Sequence, residues 1–119
     1  MNNYQQRGDV IEVPSAAAAV VAGQVVALGS VLAVANHGAE AGEPYNAVRV
    51  GVFSAPKVAG TAFAQGEAVM WDVSAGVFAL GAPAVGDVTG AAVAFEAAPA
   101  DATTFAVLLP GAVGTVKAA

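Results

Sequence analysis

GEAVMWDVSAGVFAL, Gly66 to Leu80, is the stretch whose reading decides the fold. A glycine and a carboxylate open a short apolar run, Ser74-Ala75-Gly76 interrupts it, and a second apolar run follows. Each run has the length of a strand and is too short for a helix that stands alone. With a tight turn between them the two runs predict a β-hairpin. The same order recurs upstream in GQVVALGSVLAVA, where Gly29-Ser30 takes the place of the turn. Extended to their prolines, Pro14 to Ala35 aligns with Pro56 to Leu80 at an offset of 42 or 43 residues. Two copies are too few for a solenoid, so the repeat reads as internal pseudo-symmetry. Trp71, the only tryptophan, falls where the first copy has Leu28, which makes packing its first expected role.

Working outward, GDVIEV from Gly8 and GDVTGAAVAF from Gly86 share the start of glycine plus polar residue before an apolar run. PYNAVRVGVFSAP alternates in part, with Val48, Val50 and Val52 on one face and Arg49 on the other, the pattern of a half-buried strand. TTFAVLLPG is a more continuous apolar run and predicts a strand buried on both faces. FEAAPADATT reads as a turn broken by Pro99 and Asp101, and the tail GAVGTVKAA as loose or paired with a neighbour. SAAAAVVAG is the one local competitor, a serine and a glycine bracketing barely two turns of good helix formers. The expected fold is all-β: a small β-barrel or sandwich of short strands, with at most one short helix. One domain over residues 1–119 is expected, with residues 1–7 as either an extended arm or an ordinary frayed terminus.

Hydrophobic residues make up 57% of the 119 and charged residues 11%, against a usual ~25% charged. A lone chain of this mass would have roughly 5,800 Å² of surface to keep in water. Thirteen charges cover that thinly, so part of the surface is expected to be buried against other chains. Nine acids oppose four scattered bases, Arg7, Arg49, Lys57 and Lys117, for a net charge of −5. No basic stripe offers itself to nucleic acid or to an anionic membrane. Cysteine is absent, so no disulfide or thiolate chemistry is available.

From Val13 to Asn36 the chain carries no charge and is long enough to cross a bilayer. Gly23-Gln24, Gly29-Ser30 and the bias to alanine oppose a membrane helix. A secretory leader is opposed by Asp9 and Glu12, which stand where positive charge belongs.

Catalytic and ligand-binding patterns are sparse. No glycine is followed by lysine, so the phosphate loop GxxxxGK[ST] is missing, and GxGxxG is missing too. His37, the only imidazole, has no serine in a nucleophile elbow to serve and reads as a turn residue. A metal held by His37, Glu40 and Glu43 would need three ligands from one loop. Glu67 and Asp72, five apart on a strand, face opposite sides and read as solvated strand ends rather than as a carboxylate pair. Arg7-Gly8-Asp9 spells an adhesion tripeptide of a length that arises readily by chance. Trp71 with Phe63, Met70 and Phe78 would line a sugar or peptide groove only if exposed; core or subunit packing is the stronger expectation. Neither metal, cofactor nor catalytic set is expected.

Three stretches together resemble a family: NYQQRGDVIEV at residues 3–13, GVFSAPKVAGTAFAQGEAVMWD at 51–72 and ADATTFAVLL at 100–109. They are similar to the capsid cement, or decoration, proteins of tailed bacteriophages and prophages, some of which carry a RecA-type label. The most specific part runs from Gly51-Val52-Phe53 through Pro56-Lys57 to Trp71-Asp72; Gln24 departs from the family's usual aspartate. The resemblance implies a non-enzymatic virion protein, made in the host cytoplasm, that binds the major capsid protein on the outside of the shell. It also implies self-association, with a trimer the expected form, and candidate interface or packing roles for Tyr4, Phe53, Lys57 and Trp71. A carbohydrate- or receptor-binding β module with Trp71 as its platform is the alternative.

Overall fold

The computed structural model describes residues 8–118, and among them there are ten strands and no helix. β1 (Val10–Val13), β2 (Val25–Leu28), β3 (Val31–Ala35) and β4 (Tyr45–Val48) form an antiparallel sheet in the order β1-β4-β3-β2. β5 (Val50–Pro56), β6 (Ala68–Asp72), β7 (Val77–Ala79), β8 (Val88–Ala94) and β9 (Thr104–Pro110) form the second, in the order β5-β9-β8-β6-β7. β10 (Thr115–Val116) pairs with β8. The fold is therefore all-β, built from two antiparallel sheets. The larger sheet curls until Lys57 meets Phe78 in an isolated parallel bridge, yet it does not close into a barrel.

Both hairpins expected from the repeat form. Leu28 pairs with Val31 around Gly29-Ser30, and Gly29 at φ +64° supplies the first central residue of a type II′ turn. In the second copy Asp72 pairs with Val77, so the turn is the four residues 73–76 rather than the three expected. A register shift between Val69 and Trp71 lets three successive residues, Val69, Met70 and Trp71, all be buried.

The glycine-polar signal proves to be one turn used four times. In residues 21–24, 40–43, 64–67 and 84–87 the fourth residue donates its N–H to the carbonyl of the first, at 3.0–3.1 Å. The glycine in third place lies at φ between +80° and +93°, as a type II turn requires. The side-chain oxygen of Gln24, Glu43, Glu67 or Asp87 then accepts the amide of the turn's first residue, at 2.8–3.1 Å. Each turn also docks on one outside residue: Ala35, Ala16, Ala94 and Lys117 accept from the glycine amide and donate to the carbonyl of the polar residue. The turn that Gly8-Asp9 would complete falls partly outside the described residues. Gly42-Glu43 completes one of the four, and its sequence signal is obscured because Pro44 follows it instead of an apolar run.

Three expectations need correcting. PYNAVRVGVFSAP is two strands, because the chain changes sheets at Arg49. Arg49 holds that crossing by donating from Nε to the Gly8 carbonyl and from Nη1 to that of Gly111 at 2.8 Å. Within β5 the inward face is Phe53 and Ala55, while Val50 and Val52 are 40% and 45% exposed, so the valines point outward. β9 buries Phe105, Val107 and Leu109 on one face only; Ala106 and Leu108 are half-buried on the other. The tail pairs with β8 of the same chain, and its Gly114 amide donates to Ser30 at 2.8 Å.

The alanine run forms no helix. Ala16 and Val20 are buried and exchange backbone hydrogen bonds with residues 39–43, so tertiary pairing overrides alanine's helical preference. One hydrophobic cluster spans both sheets, joining Val25, Leu32 and Val34 to Phe63, Trp71, Phe78, Phe105 and Leu109. A smaller one gathers Ala16, Val20, Ala33, Ala35, Tyr45 and Ala47. Among the described residues no helix is long and apolar enough to cross a membrane.

Candidate functional site

Trp71 is 8% exposed and stands in the main core. Its indole meets Phe78 edge-on at 4.9 Å, Phe78 meets Phe105 at 5.5 Å, and Phe105 meets Phe63 at 5.0 Å. Such tilted contacts suit the ring quadrupoles and fix the relative orientation of the four rings. Phe53 is half-buried against this core, with its ring folded back over Gly51, where an added Cβ would lie 3.2 Å from it. Lys57 is 2% exposed at the seam between β5 and β7. Its ammonium donates to the carbonyls of Val58 at 2.8 Å and Ala102 at 3.3 Å and lies 4.9 Å from the Phe63 ring centre. Trp71, Phe53 and Lys57 thus converge on one core, whereas Tyr4 and the arm 1–7 lie outside the described residues.

The polar residues weighed for chemistry have structural work. His37 Nε2 accepts the Asn46 amide at 3.3 Å, and Nδ1 lies 3.1 Å from the Gly38 carbonyl. Glu43 and Glu67 cap their turns. One oxygen of Asp72 accepts from the Ser74 hydroxyl at 2.8 Å and from the amides of Ser74 and Ala75 at 3.1 Å. The Ser74 hydroxyl first, then the Ala75 amide, hold the Asp72 carboxyl below its ordinary range. Asp87, 2% exposed, escapes a motif-based reading of the sequence; its place after Gly86 in the repeated turn is the available signal. Among the described residues no three histidine or acidic side chains gather to hold a metal.

Two surfaces are open to partners. The first is the outer face of the larger sheet. Ala68, Val93, Leu108 and Val52 are successive cross-strand partners and so form one apolar row over four strands. Val50 beside Pro110 and Ser54 beside Ala106 flank that row, and none of these residues is charged. The second is a groove of about 650 Å³ along the edge of β2, bounded by residues 17–20, β2 itself, Tyr45, Trp71 and Val73.

The structure is thus a two-sheet β module whose turn-capping polar residues are engaged in hydrogen bonds and whose two open surfaces are lined by uncharged residues. The family model for phage cement proteins matches residues 5–109, and the chain belongs to that family. No curated protein and no solved structure matches it. The family places the chain among capsid-associated structural proteins of bacteriophages.

Proposed function

We propose that this chain decorates the outside of a phage or prophage capsid and stabilises the shell without enzymatic activity. The observation that carries this reading is the family match over residues 5–109. The uncharged apolar row across the outer face of the larger sheet supports it, since an apolar surface of this kind is expected to be covered by a partner. The partners are the major capsid protein and further copies of the chain itself, in a homo-oligomer expected to be a trimer. Made in the host cytoplasm and displayed on the virion, the protein acts by mass action. It binds the assembled shell and adds its binding free energy to that state. The carbohydrate reading needs an open tryptophan face, and the Trp71 ring is engaged with Phe78 and the core.

Co-sedimentation with expanded and unexpanded shells of the cognate phage tests the proposal. Saturable binding, with shells that withstand heat better when decorated, is expected; no binding to either form refutes it. Light scattering at micromolar concentration tests self-association, for which a clean monomer is the adverse result.

A further inference from the structure

The groove along the edge of β2 carries two marks of a binding site. Trp71 and Tyr45, at 8% and 5% exposure, both line it, and neither side chain makes a hydrogen bond among the described residues. Among the described residues every wholly enclosed side-chain nitrogen or oxygen has a partner, so the indole N–H and the phenol hydroxyl each keep some accessible surface. The indole can only donate, and a nearly buried donor without an acceptor favours a ligand that supplies one.

The second mark is the free edge of β2. Among the described residues β2 pairs only with β3. The two-residue turn makes Leu28–Val31 and Val26–Ala33 the hydrogen-bonded pairs, a phase matched by the Ala35 amide donating to Gln24. The amides and carbonyls of Val25 and Ala27 therefore point away from β3, and both residues line the groove. An extended polypeptide is the ligand that offers donors and acceptors at this two-residue repeat. Among the described residues none that lines the groove is charged, which disfavours a segment of either sign, because a charge buried there would go unpaired.

We propose that the groove takes an extended, uncharged segment of the capsid shell protein as a strand added to β2. Its main-chain carbonyls also accept from Trp71 and Tyr45. β2 spans four residues, enough for a short strand of about four residues at roughly 3.3 Å each. This inference rests on the capsid-decorating function proposed above.

Hydrogen exchange on the full chain, free and bound to purified cognate shells, tests it. The Val25 and Ala27 amides should exchange at least tenfold more slowly in the bound form. A27P removes one outward amide without breaking a ladder bond, so it should fold and lose about tenfold or more in shell affinity. A18E puts a charge on an exposed lining residue and should do the same should A27P fold poorly. Unchanged exchange at Val25 and Ala27, with both variants binding as wild type, would overturn the inference and leave capsid decoration standing. Failure of the wild-type chain to bind any shell would overturn both. A saturable shift of Trp71 emission with neutral oligosaccharides, without protection of β2, would reassign the groove to sugars and overturn the inference.

Discussion

The carboxylate of Asp87 accepts the amide of Val73 at 3.2 Å across fourteen residues of chain, tying the turn after Trp71 to the start of β8. Its other oxygen accepts the Ala84 amide at 2.9 Å, so one buried side chain secures two turns. Asp87→Ala leaves both amides without that acceptor, each worth about 1–3 kcal/mol if it stays buried. A loss of about 2–4 kcal/mol is expected, read as a lower urea midpoint at unchanged slope.

Lys57 satisfies backbone carbonyls at the seam of the larger sheet. Lys57→Met keeps most of the volume and removes the donors, so a destabilisation of about 1–3 kcal/mol is expected. Lys57→Ala should be worse, since it adds a cavity beneath Phe63. Parallel denaturation of the two variants separates packing from hydrogen bonding.

Trp71→Ala should cost about 3–5 kcal/mol, the range for a large aromatic removed from a core. Trp71→Phe should cost less while lowering the edge contact with Phe78. As the single tryptophan, Trp71 should emit to the blue when native and shift red on unfolding, which makes fluorescence the assay.

Gly66→Ala and Gly114→Ala should fail for different reasons. At Gly66 nothing lies within 4 Å of an added Cβ, so the penalty is the positive φ alone, about 1–2 kcal/mol. At Gly114 the Cβ would sit 2.5 Å from the Thr89 carbonyl oxygen, so β10 must leave β8. Faster amide exchange confined to residues 114–117 is the expected signature.

Asp72 supplies a pH dependence. Its folded pKa is depressed, chiefly by the Ser74 hydroxyl, so at acid pH the unfolded chain binds the proton more tightly. The stabilisation is present above the unfolded value of about 3.9 and is lost as pH falls through the folded value. Ser74→Ala should raise the Asp72 pKa in an NMR titration and flatten its share of the acid loss; an unchanged titration would refute the assignment.

The hairpins were legible because their turn glycines and strand lengths are local facts, as at Gly29 and Gly76. The faces were not. Alternation at Val48, Val50 and Val52 reads identically whether the valines point in or out, and the change of sheet at Arg49 left no mark in the pattern. Arg49 makes its bonds to Gly8 and Gly111, both far away in the chain.

By itself, then, the sequence determined the strand class, the recurring glycine-polar start of strands, the family and the shortage of charge, all carried by residue type and short spacing. Tertiary structure alone decided that Trp71 faces the core and also borders a groove, that Lys57 and Asp87 are buried, and which sheet face is left apolar and open. Those outcomes depend on which strands become neighbours, and strand pairing over long sequence separations is set by the collective burial of both sheets rather than by any local stretch.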